Sequence, residues 1–496
     1  MRIVVENPSE ARVEATTSEL TMLANELTYT NTSNSYMLSK TVKNKWLRNN
    51  DPLEYDRRVK ELRDNLKRTL IFYKNGTPYI RPGSIPWIKM KFDLVSLIDP
   101  LPEKIPMPWK KKPRFEPYSY QSQAVEKLIS NRHAAIELCT GAGKSLILLM
   151  LSKTVNRKTV VVTPSKSIFH EIYDSFREHL GEGAVGCIGD GKKRLGKQVT
   201  VAIAKSLSMI KEGTPEWEEM QKVEHIAFDE AHTVPAATLE PVVNNLFKNA
   251  YYRFFVSGTQ TRGDGSVKLL RSLTGPIVLS MNTKEGIENG YLCPVKFFIK
   301  SVNSKSKYKG SNILKLNQEH FLYNPEILDF TAKAASAYAS QKGESSLILV
   351  EEIEQISELV KRMTVPVAFV HGNTTDSATL TKLGISKTDM QEEIERFNSG
   401  QVRVLIGTSC ISTGTNFYPT HNVFNLQAGA SEIGTKQGAI GRSVRKLEIS
   451  KYKDLHPPKL FSKIWDFRVC DIKKMEDHLK KRIEFYEETG GPVKEI

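Results

Sequence analysis

The segment ELCTGAGKSLILLM, residues 137–150, sets two glycines, a lysine and a serine between two apolar runs. Ala134, Ala135, Ile136 and Leu138 read as the end of a buried strand, and Leu146 to Leu151 as the first turns of a buried helix. A strand, a tight loop and a helix N-terminus make a cradle whose backbone N–H groups can point at an anion. Thr140, Gly141, Ala142 and Gly143 would form the loop, with the glycines permitting its tight fold. Lys144 would then reach the β and γ phosphates of a nucleotide, and the Ser145 hydroxyl would bind Mg²⁺. Leu138 stands where the strict G-x-x-x-x-G-K-[ST] pattern has its first glycine. Taken alone, the segment reads equally well as a glycine turn capping a core helix.

Two further constellations bear on that choice. HIAFDEAHTV, residues 225–234, is an apolar strand ending in Asp229 and Glu230, followed by Ala231 and His232. A carboxylate at the C-terminal end of a strand in a parallel sheet lies where ligands bind. There Asp229 can hold Mg²⁺ and Glu230 can polarise an attacking water, the two protein tasks in phosphoryl transfer to water. A lone D-E-A-H is otherwise a strand-to-helix turn with a capping Asp. QGAIGRSVR, residues 437–445, supplies Gln437, Gly441, Arg442 and Arg445. Its two arginines, three apart, are expected on one helix face as arginine fingers for a γ phosphate, or else as part of an amphipathic basic helix.

The elements that must position these groups follow one grammar. From residue 131 to about 291, buried strands alternate with helices in TVVVTPSKSIFHEIYDSF, VTVAIAKSL, VEHIAFDEAH and YYRFFVSGT. That alternation predicts a mostly parallel sheet covered by helices on both faces. A second series of the same kind follows NGYLCPVKFFI, with SSLILVEEIEQISELVKRM, VPVAFVHG, VRVLIGTS and HNVFNLQAG. The expected domains are therefore 1–110, 111–292 and 293–496. In the first, Leu53, Val59, Leu62, Leu66 and Leu70 fall at near-helical spacing among basic residues, and Asn75-Gly76 separates two β-prone runs as a hairpin turn would. PLPEKIPMPWKKKPRFEP reads as a linker, and MEDHLKKRIEFYEE as a C-terminal helix.

Composition narrows the partners. The 496 residues are 40% apolar and 26% charged, with a formal net charge of +15, which is the profile of a globular multidomain protein with a polyanionic partner, most simply nucleic acid. Residues 40–112 hold 18 Lys or Arg against 8 Asp or Glu, marking that segment as a candidate DNA-contacting domain or, more plainly, a solvated basic face. Cys139, Cys187, Cys293, Cys410 and Cys470 are scattered without a C-x-x-C pair, against a zinc site or a disulfide framework and for a reducing compartment. MRIVVENPSE lacks the apolar stretch of a signal peptide, and a cytoplasmic protein is expected.

Together these motifs resemble superfamily-2 helicases and translocases over residues 113–450. YSYQSQAV resembles the adenine-reading segment, which falls on Tyr120 and Gln121. CTGAGKS resembles motif I, TPSKS motif Ia with Pro164, Ser165 and Lys166 on the nucleic-acid backbone, and AKSL motif Ic with Lys205. FDEAH is similar to motif II, and SGTQTR to motif III, in which Ser257 and Thr259, with His232, couple hydrolysis to domain movement. GTSCISTGTNF resembles motif V, with Thr408 on DNA and Gly414 near the nucleotide, and QGAIGRSVR resembles motif VI with Gln437 at the nucleotide. Departures are Leu138 and Cys139 in motif I, Ala204 where many relatives have Thr, and Asn416 where many have an acid. The resemblance implies an α/β fold of two tandem RecA-like domains behind a small basic N-terminal α+β domain, and ATP with Mg²⁺ as cofactors.

GTQTRGDG and IENGYLCP resemble the branch that holds type I restriction motors, nucleotide-excision helicases, RecG-like and phage UvsW-type proteins, most of which track duplex DNA. The implied function is an ATP-dependent DNA helicase or translocase that remodels branched DNA as a monomer, phage-encoded and acting in the host cytoplasm. A DEAH-type RNA helicase shares the hydrolytic residues and is the first alternative. A DNA-binding regulator switched by ATP without translocation is the second.

Overall fold

The computed structural model describes residues 1–89, 110–113, 116–230, 232, 236–258, 267–304, 306–310, 312–371, 380, 383–384, 389–408, 417–430, 433–470 and 472–496. The chain divides into two compact units, residues 1–138 with 143–280, and residues 139–142 with 281–496.

The first unit begins with β1 (Arg2–Asn7) and β2 (Glu10–Glu14), then β3 (Thr28–Thr30), β4 (Lys67–Thr69), β5 (Phe72–Lys74) and β6 (Thr77–Ile80). β1, β2, β6 and β5 make an antiparallel sheet in that order, and β3 pairs with β4. Asn75 and Gly76 turn β5 into β6 with φ of 48° and 78°, the two positive values that a tight hairpin needs. The helix Thr17–Leu27, closed by a Thr16–Glu19 capping box, buries Leu23 and Leu27 against Ile3, Ala11, Val13 and Ile80. Between β3 and β4 stand three helices, Thr32–Val42, Lys45–Asn50 and Pro52–Asp64.

The last of these is shorter than its leucine spacing implies. Asp51 caps it and Pro52 opens it, but Asn65 ends it and residues 67–69 pair with β3. Val59 is buried while Leu53 is 84% exposed. Of the five apolar positions, Leu66 and Leu70 thus lie beyond the helix, because strand pairing with a distant segment took the backbone hydrogen bonds that continued helix would have used.

The same unit contains an eight-stranded sheet of β7 (His133–Leu138), β8 (Thr159–Thr163), β9 (Val185–Gly189), β10 (Lys192–Arg194), β11 (Val199–Ile203), β12 (His225–Asp229), β13 (Tyr252–Ser257) and β14 (Ile277–Met281). Their order is β10-β9-β11-β8-β12-β13-β7-β14. β9, β11, β8, β12, β13 and β7 run parallel, and β10 folds back antiparallel on β9. β8, β11, β12 and β13 are buried along their full lengths, as strands covered by helices on both faces must be.

The N-terminal segment is docked on this sheet by specific contacts. Arg253 of β13 is wholly buried, and its Nη2 donates to Ser9 Oγ at 2.7 Å and to the Phe247 carbonyl at 2.9 Å, while its Nε donates to the Ala250 carbonyl. Lys268 Nζ donates to the carbonyls of Glu26 and Thr28, and Arg81 pairs with Glu240 at 3.3 Å. Gly83 approaches so closely that a Cβ there would stand 2.4 Å from the Ser272 carbonyl oxygen.

The second unit is built on β15 (Val295–Val302), β16 (Ser345–Val350), β17 (Val367–Val370), β18 (Val404–Gly407), β19 (Thr420–Leu426), β20 (Ser462–Val469) and β21 (Val493–Glu495), parallel throughout, in the order β17-β18-β16-β19-β20-β15-β21. The C-terminal helix Lys473–Glu487 is pinned to β20 by a buried ion pair of Arg482 with Asp466, which also accepts from the Tyr486 hydroxyl at 2.7 Å. Among the described residues no helix is long and apolar enough to cross a membrane.

The Ser9 contact yields a test. Ser9→Ala removes one of three acceptors around Arg253 Nη2, leaving the Phe247 and Lys248 carbonyls, and should lower unfolding stability by about 0.5–1.5 kcal/mol, with earlier protease cleavage in residues 1–89, whereas Ser9→Thr should keep most of the parent's stability. A urea midpoint unchanged by Ser9→Ala would show that the contact is not holding the segment.

Candidate active site

β11, β8, β12, β13 and β7 run the same way, so their C-terminal ends share one edge of the sheet, and motifs I, Ia, Ic, II and III each follow or end a strand at that edge. Beyond β7, Gly141 and Gly143 take φ of 89° and 72°, and Gly143 caps the helix Lys144–Val155. A Cβ on Gly143 would stand 2.5 Å from Gln121 Nε2, so both backbone angle and space call for glycine. Gln121 is itself buried at the start of the helix Ser119–Asn131, its Oε1 accepting from the Tyr118 N–H at 2.9 Å, and the Tyr120 ring stacks on Tyr118. The adenine-reading pair expected at Tyr120 and Gln121 is thereby packed against the phosphate loop. Ser145 follows Lys144 in the helix's first turn.

The carboxylates stand at the end of β12. Glu230 leaves the strand with φ of 48°, a left-handed angle costly for a side chain with a Cβ, and its N–H donates to the Val256 carbonyl of β13 at 2.8 Å. Its Oε1 lies 2.5 Å from Lys144 Nζ, and its Oε2 accepts from Ser257 Oγ and the Gly258 N–H, each at 3.1 Å. His232 Nδ1 is 3.5 Å from the same oxygen and also bonds Ser257 Oγ. Motifs I, II and III thus meet in one hydrogen-bonded cluster around Glu230.

Burial alone would raise the proton affinity of Glu230, yet the Lys144 ammonium, with His232 and the Gly258 N–H, pulls it below the ordinary range. Asp229 goes the other way: burial, then repulsion from Glu230, raises it against the pull of Lys144. Among the described residues Asp229 Oδ1 has no hydrogen-bond partner. A buried carboxylate oxygen without a donor and a serine hydroxyl are together a hard-oxygen donor set that fits Mg²⁺ shared with a phosphate; Asp229 and Ser145 are the residues that would hold it.

Farther along the edge, Pro164 and Ser165 follow β8, with Ser165 as N-cap of the helix Lys166–Leu180, and Lys205 is exposed in the short helix Ala204–Leu207 after β11. Lys166 pairs with Asp190, which also bonds His170, and these two contacts keep the Asp190 carboxyl low. The residues expected at the nucleotide therefore lie at the β12-β13-β7 half of the edge, and those expected on DNA at the β8-β11 half.

In the second unit, Thr408 follows β18 and its N–H donates to the Val370 carbonyl. Arg442 is buried with its guanidinium 5.6 Å from the Phe417 ring, in a helix that ends at Ser443. Arg445 lies past that end, so the two arginines do not share a helix face as their spacing suggested. The cause is Lys459, a buried ammonium whose Nζ donates to the carbonyls of Ser443 and Arg445, both at 2.7 Å, while Ser462 Oγ also takes the Ser443 carbonyl. Those bonds satisfy carbonyls at the helix end and let the chain leave it. No motif marks Lys459, nor Ser9 and Arg253. Thr259, Gly414 and the Gln437 side chain lie outside the described residues.

Residues 114–262 match the family described as "Type III restriction enzyme, res subunit", and residues 328–446 match "Helicase conserved C-terminal domain". The chain is 23% identical over 389 residues to the ATP-dependent DNA helicase uvsW of Enterobacteria phage T4, covering 74% of this chain and 72% of that protein. It is 24% identical over 368 residues to the DNA 3'-5' translocase XPB2 of Sulfurisphaera tokodaii, covering 68% and 80%. Among solved structures, the HsdR subunit fragment of a type I restriction enzyme from Vibrio vulnificus shares the fold, with a TM-score of 0.52 at 17% identity over 79% of this chain and 69% of that one.

The opposed shifts of the two carboxylates make stability depend on pH in a defined sense. A folded-state carboxyl raised above its unfolded value costs nothing in acid, where both states are protonated, and its full penalty is present once pH exceeds the raised value. Asp229→Asn should therefore match the parent in acid and gain stability over it toward neutral pH, by about 1 kcal/mol or more, while losing ATP turnover. Denaturant unfolding of both proteins across that range checks it, and a variant that is the less stable at neutral pH would mean that Asp229 is satisfied in the fold.

Proposed function

We propose that this chain, which belongs to the superfamily-2 DNA helicases and translocases, is an ATP-driven motor that remodels branched DNA, by fork regression, junction branch migration and duplex unwinding. The reading rests above all on the cluster joining Lys144, Glu230, Ser257 and His232 at a sheet edge that also carries Pro164, Ser165, Lys166 and Lys205. One row of strand ends offers a hydrolytic site and a backbone-contacting surface.

Lys144 is paired with the residue expected to act as base. Nucleotide phosphates compete with Glu230 for that ammonium. When they win, Glu230 gives up the charge that depressed its proton affinity and becomes a better acceptor for the proton of an attacking water. Ser257 and the Gly258 N–H hold its other oxygen in place, and these belong to the segment expected to report hydrolysis. Mg²⁺, when bound with ATP by Asp229 and Ser145, would supply neutralisation of phosphate charge. Arg442 and Arg445 are assigned as the arginine fingers, with Lys459 fixing their backbone.

Branched DNA, as distinct from plain duplex, is favoured by the basic N-terminal segment, which is docked on the motor unit and offers a second nucleic-acid surface. Backbone contacts along a duplex position a motor without telling it where a junction is. The likeness to uvsW of phage T4 supports a phage-encoded protein working in the host cytoplasm, and remodelling of branched DNA would serve replication, recombination and repair.

The decisive experiment measures ATP turnover and strand separation on single strands, duplex, forks, four-way junctions and RNA. Turnover should be highest on forks and junctions. Higher turnover on RNA would overturn the assignment, and hydrolysis without displacement of a bound streptavidin would leave a switch, not a translocase. Within that assay, Lys144→Ala should abolish hydrolysis while sparing DNA binding. Glu230→Gln should bind ATP with turnover lowered roughly 10² to 10⁴-fold, and Arg445→Ala should lower turnover at near-constant ATP affinity. Loss of ATP binding in Glu230→Gln would mean that the carboxylate is structural.

A further inference from the structure

Residues 31–50 contain Lys40, Lys43, Lys45 and Arg48 and no Asp or Glu. The next helix, Pro52–Asp64, differs: its Glu54 pairs with Arg57 and Arg58, so much of its charge is neutralised internally. Within the acid-free stretch, Tyr36 and Trp46 are 69% and 71% exposed. On the helix Thr32–Val42, Tyr36 and Lys40 are four residues apart and share a face, and Trp46 sits between Lys45 and Arg48 in the helix Lys45–Asn50.

Along the stretch the exposed Tyr36, Met37, Val42 and Trp46 are interleaved with Lys40, Lys43, Lys45 and Arg48, and so many like charges without an acid suit a polyanion better than an apolar docking partner. Cations interleaved with exposed rings suit a nucleic-acid strand whose bases are unstacked, because a ring accepts any base face while ammonium and guanidinium groups hold the phosphates. Paired duplex buries its base faces; they become free at a branch point.

We infer that residues 31–50 form a stacking platform for unpaired bases at a DNA branch, with Trp46 and Tyr36 as the stacking faces and Lys40, Lys43, Lys45 and Arg48 as the phosphate contacts. This rests on the reading of the chain as a DNA motor and names the feature of the branch that it grips. The platform stands on the strand pair β3 and β4, and Lys268 of the motor unit bonds the carbonyl of Thr28 in β3.

The test uses the full chain and two three-way junctions, identical except that one carries a short unpaired gap at the branch. Trp46→Ala should weaken binding to the gapped junction about tenfold, leave the fully paired junction nearly unchanged, and keep the salt dependence of binding. Trp46→Phe should restore most of the affinity, and Tyr36→Ala should repeat the weakening in milder form. Replacing Lys40, Lys43 and Lys45 by Ala should weaken both junctions and flatten the log-log salt slope by roughly one unit for each phosphate no longer neutralised. Equal weakening of both junctions by Trp46→Ala, no weakening of either, or a change in sedimentation with DNA binding intact would overturn the inference, the last by giving the surface to a second copy of the chain. DNA-stimulated ATP turnover of the parent is measured alongside; its absence sinks the motor reading while leaving the gap-specific weakening to be judged separately.

Discussion

Two adjacent carboxylates, Asp229 and Glu230, are held out of water with one ammonium, Lys144, to offset them. Burying one unpaired charge is expensive, and burying two of the same sign more so. The fold meets that cost unevenly. Glu230 takes the ammonium, a hydroxyl and a backbone N–H, and Asp229 is left with an oxygen lacking any donor among the described residues. The parallel sheet is what makes this arrangement possible, since β12 lies between β8 and β13 and only its end is open to ligand. A divalent cation held there with a nucleotide would bring the positive charge that balances the second carboxylate.

The N-terminal segment enters the same structure through a second buried charge. Arg253 lies on β13, four residues before Ser257, and the acceptors of its guanidinium are neutral oxygens, one of them Ser9 Oγ. A neutral cage of this kind is directional, and it ties a surface segment to the strand that leads to the catalytic cluster. The basic helices of residues 32–50 are thus carried by a docked module, a more accurate support for a second nucleic-acid surface than a tethered one.

What could be read in the sequence was whatever depends on short range. Buried parallel strands announce themselves as runs such as TVVVT and VTVAI, Asn75-Gly76 as a hairpin turn, and the motif order as a two-domain motor. Three features escaped for one reason, that a distant partner decides them. The helix from Pro52 stops at Asp64 because residues 67–69 pair with residues 28–30. Arg445 leaves the helix of Arg442 because a lysine fourteen residues on takes its carbonyl. The docking of Ser9 on Arg253 spans 244 positions. Periodicity has nothing to say about contacts of that range, and neither Ser9 nor Lys459 belongs to a residue pattern that would mark it.

The edge of the first sheet also keeps apart the two sets of residues expected to meet two different ligands. Strand order interleaves what sequence order separates: β11 and β8 stand together, β12 between β8 and β13, and β7 beyond. Groups expected to meet DNA therefore fall on one side of Asp229 and groups for the nucleotide on the other, although the chain visits them alternately. Motif II sits at the boundary, its Glu230 bonded toward motif I by Lys144 and toward motif III by Ser257. A change of charge on that one carboxylate is therefore felt at the end of β13 and at the helix that follows β7, two elements the chain reaches far apart in sequence.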